Sequence, residues 1–457
     1  MVGQVIKQKT TAGVRLLQLV MVLLAPILYG ACSKDTSEIE TNDVLETHVS
    51  LDENSALTAR IHVKLRHSQA IGLKLKRKQD SEYQWISSEQ HKEHTFSLLQ
   101  LDASSEYQYS IHSIKNGEIN QELQPIKTFQ TADIPAWVND FYKKKESSFS
   151  YPIDGYYLFA NMSQPSCIYL LDNQGNMVWY RTSPNTIKSV KVTQNNTILA
   201  IEDEDHTPFG DGNILIERSW AGDTLFMHRK GHSSFDKTIH HDAIVNNRGN
   251  YLAITNVLQG GYPGDGLVEW DSKGNKLWEW TTFDVRDEYD PALKDQPWIN
   301  SVFQDQDGNY ILSLRALHQI WKINANTGKV IWKLGDKGDI EMDHKYNFLY
   351  QHYAHIVNNS QLLLFDNGSD SRKHSRILLF DINETTKKAK IAKEIKLDEP
   401  YYSAIMGSVS LLPSNHFLVA SSVKGLGLLL TPEGNILNKI ALKDRIYRIE
   451  YVRDPFK

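Results

Sequence analysis

Cysteine is nearly absent from this 457-residue chain: there are two, Cys32 and Cys167. That excludes a disulfide framework. The body of the chain has no basic run beyond Lys143-Lys144-Lys145, and the formal net charge is −5, which excludes nucleic acid as the main partner. Long apolar runs are missing too. The one extended stretch, from Leu16 to Leu28, is too short for a comfortable membrane span. Aromatic residues, at 10% of the chain, are plentiful and suit a β-rich globular protein.

The apolar stretch follows Lys7, Lys9 and Arg15 and leads into Tyr29-Gly30-Ala31-Cys32, where a signal h-region belongs. The segment resembles a bacterial lipoprotein signal, residues 1–32, with Cys32 as the lipidated first residue after cleavage. This implies a membrane partner reached through an N-terminal lipid anchor. Ser33 after the cysteine does not resemble an inner-membrane retention signal, so the expected place is the outer membrane of a Gram-negative envelope. Residues 33–46 are polar and charged and read as a tether. Cys167, left without a partner, is expected to be a buried small hydrophobe.

From 47 to 132 short alternating stretches, among them LTARIHVKL, IGLKLKRK, YQWISS and HTFSLLQL, suggest a β-sandwich. The run from Leu101 to Tyr109 resembles the tyrosine-corner strand of fibronectin type III domains. Residues 133–150 read as a linker.

Beyond 151 the chain repeats itself. HDAIVNNRGNYLAITN from His241, NSVFQDQDGNYILSLR from Asn300 and HYAHIVNNSQLLLFDN from His352 align without a gap, each a hairpin with a polar head and a polar tail. The heads are His241, Asn300 and His352, and the tails are Asn256, Arg315 and Asn367. A second kind of hairpin alternates with these about six times, as in GLVEWDSKGNKLWEWTT and QIWKINANTGKVIWKLG. Repeats of roughly 50 to 60 residues with four strands each predict an all-β, six-bladed β-propeller over 151–457, with the stretch from Arg445 to Val452 closing the ring.

Inner strands of such a ring converge at one mouth. His240, His241, Asn300, Arg315, His318, His352, His355, Asn367, Arg372, His374 and Arg376 make a cationic and amide-rich set with few carboxylates, suited to an anion such as sulfate. No metal is expected. His240-His241 with His352 and His355 could in principle ligate zinc or copper, but nearby carboxylates and thiolates are scarce, and strand alternation would let at most one of His240 and His241 face the mouth. Asp305 to Asn309 reads as a hairpin turn rather than a calcium loop.

His240-His241-Asp242, Ile299-Asn300-Ser301 with Arg315, and Gln351-His352 with Leu363 to Gly368, Arg372 and Ser375-Arg376 together resemble the blocks of bacterial arylsulfate sulfotransferases. The resemblance covers about 151–457. It implies transfer of a sulfuryl group from an aryl sulfate to a phenol through a funnel histidine, without a nucleotide or other cofactor. It assigns His241, His352 and Arg372 to catalysis, with Arg372 (or Arg376) as the charge clamp. His240, Asn300, Arg315, His355, Asn367 and Arg376 fall to substrate binding. Trp298 stands where the family often has a histidine. The nucleophilic histidine expected near Gly407 is absent, since His416 falls in a turn. The alternative reading is therefore an envelope-anchored propeller that lost the chemistry and binds a sulfated or other anionic ligand or a protein.

Overall fold

The computed structural model describes residues 43–456 apart from 209, 286–296 and 359; Cys32 and the signal lie outside the described residues. The chain is all-β and divides into two compact units. The first is made of 43–52 with Thr58–Ala132, the second of Glu53–Leu57 with Asp133–Phe456.

In the first unit, strands expected to be separate are continuous. LTARIHVKL and IGLKLKRK fall in one strand, Ser55–Arg77, and YQWISS and most of HTFSLLQL in another, Gln84–Leu98. The register between them slips from Lys64 to Ile71, and such bulges bend a strand without ending it. The folded-over sheet encloses Ile61, Ile71, Leu73, Phe96 and Ile111. The Tyr107 hydroxyl accepts a hydrogen bond from the Asp102 backbone N–H at 2.8 Å.

The second unit contains six antiparallel sheets among the described residues. Each contributes one strand to an inner set: Thr186–Val192, Ile239–Val245 (edged by the short strand Asp211–Gly212), Ile299–Gln304, His352–Val357, Ser408–Leu411 and Ile446–Val452. Each touches the next, and Ile446–Val452 touches Thr186–Val192, so these strands close a ring. The last of them pairs with Tyr156–Asn161 from the start of the unit. Apolar side chains fill the gaps between adjacent sheets, as Trp321 and Tyr310 do beside Leu252 and Leu267. Indoles tie neighbours as well: Trp280 Nε1 donates to the Gly328 carbonyl at 2.9 Å. Cys167 is fully buried and reduced, and burial pushes its thiol pKa up.

Asp305 to Asn309 does form the turn between the first two strands of its sheet. Its carboxylates are taken by Lys322, whose Nζ lies 2.8 Å from Asp305, 2.7 Å from Asp307 and 2.7 Å from Glu384.

Candidate active site

Five of the six inner strands carry a register slip near their start, including Ile239 to Ala243, His352 to His355 and Ile446 to Ile449. Bulges re-aim side chains. At the slip His241 takes φ +59°, and Trp298 and Tyr350, just before their own strands, take +56° each. Bulky residues in left-handed backbone are strained, and strain of this kind gathers at functional sites.

The slip overturns the alternation expected for His240 and His241. Their Nδ1 atoms lie 2.7 Å apart, with rings edge to face. Trp298 Nε1, which can only donate, sits 3.1 Å from His241 Nε2. The neutral His241 ring therefore carries its proton on Nδ1 and donates it to His240. The second nitrogen of His240 lies 3.3 Å from Asp265 Oδ1, out of line for a hydrogen bond. Burial, then His240, His352 and Arg315, hold the His241 pKa well below its ordinary value.

His352 is fixed by a different logic. Asn367 Nδ2 donates to the Ser403 and Met406 carbonyls, both at 2.7 Å, so its oxygen must be the atom turned to the imidazole. That oxygen is 2.7 Å from His352 Nδ1, and the Tyr350 carbonyl is 3.0 Å away. Two acceptors at Nδ1 require the proton there and leave a lone pair on Nε2. Nε2 has no hydrogen-bond partner among the described residues. Burial and the Arg315 charge bring the His352 pKa down to about 3, so the ring is neutral at ordinary pH. Arg315 lies with its guanidinium 4.8 Å from the Trp298 ring and 4.7 Å from the Tyr350 ring.

His241, His352 and Arg315 are thus brought together. The other expected site residues do different work. Arg372 was expected to clamp the ligand, but it spends its guanidinium on Asp366, at 2.7 Å to both oxygens. Arg376 binds the same carboxylate at 2.7 Å and Glu394 at 3.1 Å. Asp366 in turn accepts the Leu349 N–H at 2.9 Å, so this cluster fixes the segment that presents Tyr350 and His352. Asn300 Nδ2 holds the Gln351 carbonyl at 2.7 Å, while its oxygen is buried without a partner among the described residues. His240 backs His241, Asn367 orients His352, and His355 lies farther along its strand in a separate cavity.

Sequence reasoning missed several residues. Tyr447 packs edge-on to His241 at 6.0 Å, and its hydroxyl donates to the Asn300 carbonyl at 2.8 Å. Arg448 Nη1 is 2.8 Å from Asp242 Oδ1 and Lys191 Nζ is 2.9 Å from Oδ2, forming a buried ion cluster beneath the histidines. His318, by contrast, was among the residues expected at the mouth, and its Nδ1 accepts the Tyr350 N–H at 3.0 Å. The polar head of the last inner strand was the available signal for Tyr447 and Arg448.

The family model described as Arylsulfotransferase (ASST) matches residues 141–452. The chain belongs to the arylsulfotransferase family. No curated protein matches it in sequence. Among solved structures, a protein of unknown function from Bacteroides caccae superposes with a TM-score of 0.46 at 14% identity, covering 65% of this chain and 99% of its own. A catalytically inactive virginiamycin B lyase from Staphylococcus aureus with quinupristin gives 0.37 at 11% identity, covering 59% and 78%. Similarities this weak carry no argument about the arylsulfotransferase site.

Proposed function

We propose that this arylsulfotransferase-family protein moves a sulfuryl group from an aryl sulfate to a phenol through His352, on a six-bladed propeller preceded by a fibronectin type III-like domain. The observation that carries this reading is the fixed tautomer of His352: neutral, proton on Nδ1, lone pair open on Nε2. A neutral imidazole with an oriented Nδ1–H is an activated nucleophile.

In the first step Nε2 attacks sulfur, the sulfur–oxygen bond breaks, and its electron pair leaves with the aryl oxide. The imidazole becomes a sulfated imidazolium. Its Nδ1–H, now on a cation, binds Asn367 Oδ1 and the Tyr350 carbonyl more strongly, because charge-assisted hydrogen bonds are about twice as strong as neutral ones. Arg315 takes the sulfuryl oxygens, replacing Arg372 as the clamp. In the second step the phenol oxygen attacks sulfur, the nitrogen–sulfur bond breaks, and His241 Nε2 takes the phenol proton after the acceptor ring displaces the Trp298 N–H. This chemistry needs positioning and charge neutralisation above all, as phosphoryl transfer does. The absence of a histidine near Gly407 does not remove the nucleophile, since His352 supplies it.

Purified protein incubated with 4-nitrophenyl sulfate alone should gain one SO3 on the peptide containing His352, and added phenol should remove it as nitrophenolate accumulates. An adduct on another residue, or release without an adduct, would replace this mechanism. Anchoring through Cys32 to the outer membrane is part of the same proposal. Cys32→Ser should leave the protein soluble in envelope fractions, and unchanged membrane association would rule the anchor out.

A further inference from the structure

Past the Asp242 ion cluster, the inner strands line a second, partly open cavity of about 220 Å³. Its wall residues lie farther along each strand than those of the histidine mouth: Val245 beyond His241, Phe303 beyond Asn300, His355 beyond His352, Glu450 beyond Tyr447. Most of the wall is apolar or aromatic. His355 packs its ring 5.7 Å from Phe303 and 5.0 Å from Tyr353. For scale, a dry apolar cavity of about 150 Å³ accepts benzene, so this one has room for a single substituted ring.

The polar groups narrow the ligand further. His355 Nδ1 donates to the Tyr353 carbonyl at 3.0 Å, so Nε2 carries a lone pair, and it has no partner among the described residues. Burial brings the His355 pKa down to about 4, which keeps that lone pair available. Lys191 Nζ donates to Asp242 at 2.9 Å and has further N–H bonds to give. Glu450 accepts the Tyr353 hydroxyl at 2.8 Å. Two basic groups, Lys191 and Arg448, face two acidic ones, Asp242 and Glu450. A charged ligand would add an uncompensated charge to a buried, balanced set, which is costly.

We propose that this cavity is a second ligand site, taking one neutral hydroxylated aromatic ring of about phenol size whose O–H donates to His355 Nε2 and whose oxygen accepts from Lys191. The site requires no sulfuryl transfer and stands or falls apart from the role of His352.

Crystals of the full chain soaked in 4-bromophenol, with 4-bromotoluene as the control, locate the ring by bromine anomalous scattering. The expected result is a bromine peak in the His355 cavity with the phenol and none with the toluene. Calorimetry in solution should show at least tenfold weaker binding in His355→Phe, which keeps a ring and removes the acceptor. Val245→Phe, which fills the cavity from a partly exposed position, should abolish the peak and serves if His355→Phe does not fold. A peak only at the histidine mouth, equal peaks for both compounds, or unchanged affinity in His355→Phe would overturn the proposal. Absence of a His352 adduct with 4-nitrophenyl sulfate would leave it untouched.

Discussion

His241 and His352 stand at matching points of two inner strands, and both are neutral imidazoles with the proton on Nδ1. They differ in what meets each nitrogen. His352 gives its Nδ1–H to two fixed oxygens and meets no donor at Nε2; His241 gives its proton to another histidine and has its Nε2 covered by the Trp298 indole. A repeat thus supplies the same residue twice, and the partners decide its chemistry. On the proposed mechanism, an orienting oxygen behind and an open lone pair in front suit His352 to act as the nucleophile. A capped lone pair makes a residue that waits for the cap to move.

The contrast is broken most severely by removing each ring in turn. His352→Ala should lower kcat by about 10⁴-fold or more, as loss of a nucleophile does, with circular dichroism and Tm near those of the parent. His241→Ala should cost about 100-fold, the scale of a lost general base, and should still allow the adduct on His352 to form. Equal losses in both variants would erase the distinction. Next in size is Asn367→Ala. Because the Tyr350 carbonyl still accepts Nδ1–H, the expected fall in kcat is about 100-fold, short of the ~10⁴-fold that follows when an orienting partner's loss favours the wrong tautomer. KM for the donor should barely change.

Smaller still is the dependence on pH. The folded pKa values of His352, about 3, and His355, about 4, lie below the 6.5 of an unfolded histidine. As pH falls below about 6.5 the unfolded chain takes up protons that the folded rings refuse. The stability that both rings contribute above that pH is then lost, at a limiting slope of about 1.4 kcal/mol per pH unit for each histidine. Urea midpoints measured from pH 7 to pH 4.5 should fall, and less steeply in His352→Ala. Over the same range kcat should show no acid limb from His352. The mildest change is Trp298→Phe, which uncovers His241 Nε2 at the loss of one neutral hydrogen bond, about 1 kcal/mol. Activity should move by less than tenfold, while His241 becomes the more reactive toward diethyl pyrocarbonate.

The repeat made much of this site legible. Aligning heads and tails singled out His352 and Asn367 in one repeat, the pair whose hydrogen bond sets the tautomer, and also Arg315. Arg372 and His355 were placed at the mouth because their residue types suit an anion, but type does not reveal a prior partner: Asp366 claims one, and three residues of strand carry the other away. His240 and His241 were read by strand alternation, and a bulge leaves no mark in composition, so their contact was invisible. Arg448 and Asp242 meet across 206 residues, with no pattern in the intervening sequence to announce it. In the first unit the register slip that joins two expected strands was hidden for the same reason.

The pairing of Ile446–Val452 with Tyr156–Asn161 sets a timetable for the molecule's birth. Tyr447, Arg448 and Glu450 sit beneath and beside histidines that leave the ribosome about 100 to 200 residues earlier, and the Asp242 carboxylate has no arginine to meet until that segment arrives. At roughly 5–20 residues per second, a nascent chain spends about 5 to 40 seconds with its histidine strands made and the floor beneath them missing. The candidate site cannot be complete on a chain still being synthesised. Competence comes as a single late event, when the final strand docks, and a product cut short before 446 would be an open array of sheets with an unpaired carboxylate where its floor should be.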